Sequence, residues 1–147
     1  MNTQFARIIF SATVFVAAGS ASAAAAELAL VERATSDAVT DLGDKGDSIG
    51  DLLTFNNEVY DAANAAAVGR DNGWCIRTAV GQAWECTWTT TLSDGQITVQ
   101  GTFKDSGDSL LAVTGGTGKY QGAVGEMTLH PRNPESTEYD FKFNLTR

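Results

Sequence analysis

Apolar and polar residues alternate along much of this chain, and clusters of Gly, Asp and Ser separate the alternating stretches. In the stretch 92–125, for example, Ile97, Val99 and Phe103 alternate with glutamine and threonine. Alternation with a period of two is typical of a strand that buries one face, and turn residues between such stretches predict consecutive antiparallel strands. The pattern therefore predicts an all-β protein.

The pattern recurs often enough to predict about eight strands. They are expected at residues 28–33, 50–60, 68–79, 82–92, 96–103, 110–113, 122–130 and 139–145. The stretch 35–48 is rich in Asp, Gly, Ser and Thr and predicts a long loop, and the glycines within 115–118 predict a turn.

An open sheet of this size would leave long unpaired edges, and closing the sheet into a barrel removes them. A two-sheet sandwich is the alternative, but the short and regular connections favour an eight-stranded antiparallel up-and-down barrel. One domain is predicted over residues 27–147, with the first strand and an acidic loop within 24–49 and the remaining strands within 50–147. A barrel of this size has room inside for one small ligand.

Residues 1–23 have the features of a secretory signal peptide. Arg7 precedes an apolar stretch at residues 8–18, and the small residues that follow end in an Ala-x-Ala pattern at Ala23. The apolar stretch is too short to span a membrane, and an ordinary N-terminal helix is the alternative. Cleavage is expected after Ala23, Ala25 or Ala26, which predicts a secreted or periplasmic protein with no membrane attachment.

Charge and composition argue against several classes of function. The chain has 10 Lys and Arg against 18 Asp and Glu, and it has no basic cluster. Binding to nucleic acid or to an anionic membrane surface is therefore not expected. His130 is the only histidine, and the spacing of Asp41, Asp44, Asp47 and Asp51 is not that of a calcium loop, so no metal site is expected.

Cys75 and Cys86 are the only cysteines, and an exported protein meets an oxidising compartment. A hairpin that turns between Val80 and Gly81 places residues opposite each other when their numbers add up to 161, as 75 and 86 do. The hairpin therefore predicts a disulfide bond on the face that Trp84 and Trp88 share, directed into the barrel. Two buried free thiols are the alternative.

Several segments together resemble the allene oxide cyclase family. They are GDLLTFNNEVYD at 50–61, GWC at 73–75, DGQITVQGTF at 94–103, SLLAVTGGTGKYQGAVGEMTL at 109–129 and YDFKFNL at 139–145. The segment VGRDNG at 68–73 and the glycine-rich GGTGKYQGAVG stretch also resemble the related dirigent proteins. The resemblance implies an eight-stranded antiparallel barrel, commonly a homotrimer, whose apolar cavity steers a reactive small molecule without a cofactor.

The resemblance also implies roles for individual residues. Asn57 stands where the cyclases have an asparagine that holds a bound water, and it shares its face with apolar neighbours. A buried amide needs a hydrogen-bond partner, so a core asparagine paired with the backbone is the alternative. The candidate cavity residues are Leu53, Phe55, Trp84, Trp88 and Phe103, of which the aromatic ones also suit core packing.

The first strand departs from the family pattern. The cyclases place a glutamate and an asparagine there, and aligning Glu32 and Arg33 with their Glu-Arg pair leaves Ala29 and Val31 at those two positions. Glu32 is then the candidate catalytic carboxylate, together with Asn57. We expect a barrel that binds a small apolar molecule and acts as a cofactor-free isomerase, cyclase or steering protein. A non-catalytic carrier and an interaction module are the alternatives.

Overall fold

Every regular element in residues 26–146, which the computed structural model describes, is a β-strand. The strands are β1 (Ala26–Arg33), β2 (Ala38–Thr40), β3 (Leu52–Asp61), β4 (Ala67–Ala79), β5 (Ala83–Leu92), β6 (Gly95–Lys104), β7 (Ser109–Gly118), β8 (Val124–Pro131) and β9 (Glu138–Thr146). The predicted signal peptide lies outside the described residues. No helix within 26–146 has the length and apolar character to cross a membrane.

The strands form one closed antiparallel barrel. From β3 to β9 each strand pairs with the next in sequence, and β1 pairs with both β9 and β3. The pairs from Leu30 to Arg33 of β1 with β3 close the ring. Eight strands thus make the barrel, β2 is an additional strand, and the predicted all-β eight-stranded barrel is confirmed.

The additional strand β2 corrects one prediction. Residues 35–48 were expected to form a loop, but Ala38–Thr40 pairs with the first three residues of β3. The long β3 therefore has β2 beside its first half and β1 beside its second half. All three residues of β2 are exposed, so this strand carries no alternation of apolar and polar residues by which the sequence could reveal it.

The glycine-rich stretch at residues 115–118 corrects a second prediction. Residues 115–118 end strand β7 instead of forming a turn, and the turn follows them, with the Tyr120 N–H donating to the Thr117 carbonyl. A Cβ atom on Gly116 would lie 2.5 Å from the backbone oxygen of Tyr120. The glycine there lets the next turn fold directly against the strand.

Large apolar side chains fill one half of the barrel. Val59, Ile97, Val99, Met127 and Phe143 are among the most deeply buried of them. Towards the other end, where β3, β5, β7 and β9 begin, the interior is not completely filled. The strand order therefore places a cavity beneath the loops at 34–51, 105–108 and 132–137.

Candidate functional site

The predicted disulfide bond is present and forms part of the cavity wall. Cys75 on β4 lies opposite Cys86 on β5, with 4.0 Å between their Cα atoms. In the same register Trp88 lies opposite Gly73. Both sulfur-bearing side chains are buried and line the cavity, so the bridge points inward as the hairpin register predicted.

The cavity has mostly apolar walls, and its free volume is about 40 Å³. This is room for about two or three water molecules, so a larger ligand would also extend beyond the cavity. The Trp88 ring lies between Phe55 and Phe141, with ring centroids 6.0 and 5.7 Å away. The apolar residues that line the cavity are Leu53, Phe55, Cys75, Cys86, Trp88, Phe103, Leu129, Tyr139 and Phe141.

Four of the five candidate cavity residues lie on this wall, namely Leu53, Phe55, Trp88 and Phe103. The fifth, Trp84, is buried beneath Arg77, whose guanidinium carbon lies 4.0 Å from the centre of the Trp84 ring. That arginine is held on both sides, by Asp105 at 2.7 Å and by Asp47 at 2.6 Å. Trp84 therefore supports the end of the barrel and not the cavity surface.

Gly73 has no side chain, and this makes room for the Trp88 indole. A Cβ atom on Gly73 would lie only 2.3 Å from the Cβ of Trp88 and 2.4 Å from the Thr87 carbonyl oxygen. Any larger residue at this position would push β5 away from β4. Gly73 thus fixes how the strands approach each other at the cavity wall.

One side of the cavity is acidic, because three carboxyl groups meet there: those of Glu32, Asp37 and Asp71. Glu32 comes from β1 and is 5% exposed, whereas Asp71 comes from β4 and is fully buried. Strand β3 lies between those strands, and its residues Asn57 and Val59, two positions apart on one face, pair with Asp71 and Glu32.

Asn57 holds two of these three carboxyl groups in place by hydrogen bonds. Its Nδ2 donates to Glu32 Oε1 at 2.7 Å and to Asp37 Oδ1 at 2.8 Å. Its Oδ1 accepts hydrogen bonds from the backbone N–H groups of Thr35 and Ser36, at 3.0 and 2.9 Å. Asn57 does not line the cavity, contrary to the expected cavity-facing amide. The core-asparagine alternative fits this arrangement, with two carboxyl groups added to its partners.

The two buried carboxyl groups hold protons more tightly than free ones. Burial raises the pKa of Glu32 to about 7, against the opposing effect of the Asn57 hydrogen bond, and the nearby Asp37 raises it further. Burial, followed by the charge of Glu32, raises the pKa of Asp71 well above its ordinary value. No N–H or O–H group of residues 26–146 donates to the Asp71 oxygens. Since the charge of one carboxyl group opposes ionisation of the other, the two do not ionise independently.

Sequence reasoning missed Asp71 as a site residue, although a signal for it existed. The register that pairs Cys75 with Cys86 also places Asp71 opposite Thr90, on the same inward face as Gly73 and Cys75. Leu129, Tyr139 and Phe141 share the inward alternation of the last strands, but that alternation alone does not separate cavity wall from packed core.

A second space of about 190 Å³ adjoins the cavity at the open end of the barrel. The two spaces share Phe103, Leu129 and Tyr139 as wall residues, and the Phe103 and Tyr139 rings meet edge to face at 5.9 Å. The residues 104–107 form its outer rim. A ligand would therefore enter past this aromatic pair. Within residues 26–146 no three His, Cys, Asp or Glu side chains are grouped to hold a metal ion.

This barrel, with its enclosed cavity, is that of a known class of proteins. The sequence model of the allene oxide cyclase family matches residues 25–142, and the chain belongs to that family. The resemblance found in the sequence is thereby confirmed.

Solved structures with the same fold include enzymes and dirigent proteins. A structure described as pyocyanin demethylase is 26% identical over 80% of this chain and 99% of its own, with a TM-score of 0.70. A pterocarpan synthase dirigent protein is 11% identical, covering 94% of this chain and 97% of its own, with a TM-score of 0.73. An exo-specific intermolecular Diels-Alderase is 14% identical, covering 84% and 99%, with a TM-score of 0.66. The last two likenesses concern the fold alone.

Proposed function

We propose that this chain binds a small, mostly apolar molecule in the barrel cavity and isomerises or cyclises it by proton transfer. The observation that carries the proposal is that two buried carboxyl groups with raised pKa values, those of Glu32 and Asp71, line the same largely apolar cavity. Buried acids with raised pKa values are typical of general acid–base sites. No cofactor takes part in the chemistry proposed.

The carboxyl pair suits a reaction in which a proton leaves one atom of the ligand and another returns elsewhere. With a pKa of about 7, Glu32 is part carboxylate and part acid at neutral pH, so it takes up and releases protons readily. The pKa of Asp71 is also raised by burial, and this group serves as the acid. The product is an isomer of the substrate, and the protein returns to its starting protonation.

The other residues would contribute by positioning. The Phe55 and Trp88 rings limit the conformers that a bound molecule can adopt, which favours one ring closure over others. Asn57 acts as a positioning residue, because its Nδ2 fixes the orientation of the Glu32 carboxyl. Tyr139 lies on the same cavity wall, where burial raises the pKa of its hydroxyl and keeps it neutral.

The comparisons support a ligand inside the cavity. The family is one of cyclases, and the similar structures carry names of enzymes that act on organic molecules. The disulfide bond supports export into an oxidising compartment, which the predicted signal peptide would direct. A homotrimer remains part of the proposal, on the strength of the family resemblance.

A search for proton exchange tests the proposal before the natural substrate is known. The mature protein would be incubated in D₂O with pyocyanin and with a panel of conjugated enones, and products and deuterium uptake would be followed by mass spectrometry. We expect uptake or conversion for at least one compound, and its loss in Glu32→Gln and Asp71→Asn. Glu126→Gln removes an exposed acid on β8 and serves as the matched control. Conversion that survives both cavity substitutions would refute the assignment of the pair.

A non-catalytic carrier is the second candidate, favoured by one observation. The glutamate and asparagine that the cyclases place on the first strand align with Ala29 and Val31 here. A carrier would bind compounds from the same panel without deuterium uptake. Its affinity for a neutral ligand would also remain close to that of the original protein after Glu32→Gln.

A further inference from the structure

The charged residues that line the cavity are all acidic. Its lining includes the carboxyl groups of Glu32, Asp37 and Asp71 and, among the described residues, no lysine, arginine or histidine. Arg77 packs on Trp84 and is already paired with two aspartates. Lys104 belongs to the outer rim of the adjoining space, where its side chain is exposed. A bound molecule would therefore meet acids and aromatic rings but no cation.

Two buried polar groups on the wall have hydrogen-bonding capacity left over. Asp71 is fully buried, and no N–H or O–H group of residues 26–146 donates to its carboxyl oxygens. Trp88 is 4% exposed, and its Nε1–H has no acceptor among the same residues. Buried polar groups are normally paired, so both groups indicate a site that a polar atom of a ligand completes.

We infer that the cavity prefers a flat aromatic molecule that carries a positive charge, such as an N-alkylated nitrogen heterocycle, over neutral or anionic molecules of the same shape. The inference rests on the proposed function in one respect, namely that the cavity is the ligand site. Five rings line it, those of Phe55, Trp88, Phe103, Tyr139 and Phe141. The faces of such rings attract cations, and a buried carboxylate attracts them more strongly than an exposed one does.

An anion would be disfavoured by the same groups. The carboxyl pair already resists a second negative charge, as the raised pKa values of both members show. Adding a carboxylate ligand beside them would require a further proton or leave an unpaired buried charge, and both are costly. A neutral aromatic ligand would gain the ring contacts alone.

Binding of a cation should be linked to proton release. The groups that face Glu32 are Asp37 on the β1–β2 connection, Asn57 on β3, Asp71 on β4 and Tyr139 on β9, and none of them is cationic. A bound cation favours the ionised form of Glu32. Affinity for the cation should therefore rise between pH 5.5 and 8, whereas affinity for a neutral molecule should stay nearly constant.

Three probes of nearly the same shape test the inference: N-methylacridinium, neutral N-methylacridone and acridine-9-carboxylate. Isothermal titration calorimetry on the mature protein would give their affinities at pH 7.5. We expect the cation to bind at least about tenfold more tightly than the anion, with the neutral molecule between them. In Glu32→Gln and Asp71→Asn the preference should shrink, while Glu126→Gln, which removes the same charge from the outer face, should keep it.

The outcomes separate this inference from the proposed function. Equal binding of all three probes, or tightest binding of the anion, overturns the charge preference and leaves a neutral-ligand site standing. A cation preference that persists in both cavity variants, with N-methylacridone still bound, also overturns it. Binding of none of the probes contradicts the cavity as a ligand site and the inference with it. If the cation binds selectively but no compound shows deuterium exchange, the inference is supported and the proposed catalytic function is contradicted.

Discussion

Asn57 donates both of its amide protons to carboxyl groups, one to Glu32 at 2.7 Å and one to Asp37 at 2.8 Å. Its oxygen accepts three hydrogen bonds from Thr35 and Ser36. One buried side chain thus connects the end of β1, the connection to β2 and the acidic wall of the cavity. Its role in this protein is to hold other groups in place.

Replacing Asn57 with Leu should therefore destabilise the fold. The substitution leaves the Glu32 and Asp37 carboxyl groups and two backbone N–H groups without their partner. Thr35, Ser36 and Asp37 are exposed and can bond to water, whereas a buried group such as Glu32 that loses its partner costs about 1–3 kcal/mol. We expect the free energy of unfolding in urea to fall by about 1–3 kcal/mol. Asn144→Leu, at an exposed position of β9, is the control. Equal stability of the two variants would show that Asn57 is dispensable.

Stability should fall as the pH rises from about 5 to 8. The native state raises the pKa of Glu32 from 4.5 to about 7, so between these values the folded protein binds more protons than the unfolded chain. The contribution is present in full below pH 4.5 and is lost as the pH rises through 7, by about 3 kcal/mol at most. Asp71, whose pKa is also raised, acts in the same direction.

Urea midpoints measured between pH 5 and 8 would test this dependence. The slope should be smaller in Glu32→Gln, because glutamine does not titrate but still accepts the hydrogen bond from Asn57. If the stability of the unsubstituted protein stayed constant or rose across this pH range, the raised pKa of Glu32 would be contradicted.

The Cys75–Cys86 bond should stabilise the protein by about 2–3 kcal/mol, as expected for a loop this short. Protein purified from its own compartment should show no free thiols when denatured, and reduction should lower its melting temperature. The double variant Cys75→Ala, Cys86→Ala should melt at a similarly low temperature, with or without reductant. Two titratable thiols per native chain would contradict the bond.

Arg77 should hold the 41–51 loop on the barrel. Its side chain joins Asp47 of that loop to Asp105 of the β6–β7 connection while stacking on Trp84. Lysine keeps the charge but cannot form the forked contact with two carboxylates. In Arg77→Lys we expect faster tryptic cleavage after the exposed Lys45, followed by mass spectrometry. Cleavage at the original rate would mean that the backbone bonds of Asp51 and Gly50 suffice to hold the loop.

The mature protein should begin between Ala24 and Glu27. Strand β1 starts at Ala26, whose backbone pairs with Leu145, so cleavage at any of the predicted positions leaves nearly all of that strand intact. N-terminal sequencing of exported protein would identify the first residue. An exported form that still carries residues 1–23 would rule out the signal peptide.

The barrel could be predicted because each of its strands buries one face, which the alternation of residue types records. Strand β2 escaped prediction, since its three residues are exposed and bury no apolar face. The disulfide bond could be predicted from the export signal, the presence of just two cysteines and the hairpin register, because opposed residues are fixed once the turn is known. That Glu32 and Asp71 line the same cavity could not be predicted in this way. It depends on the register of β1 against β3, and the long connection between these strands does not fix that register as a short hairpin turn does.

The disulfide bond also forms part of the inner surface of the barrel, since both cysteines line the cavity. The cavity wall therefore reaches its final shape only when the disulfide bond forms, after translation. Two molecules with the same sequence, one oxidised and one reduced, would present different walls to the same compound. The shape of the cavity therefore depends on the redox history of the chain, and protein made in a reducing host would have a different cavity wall from oxidised protein.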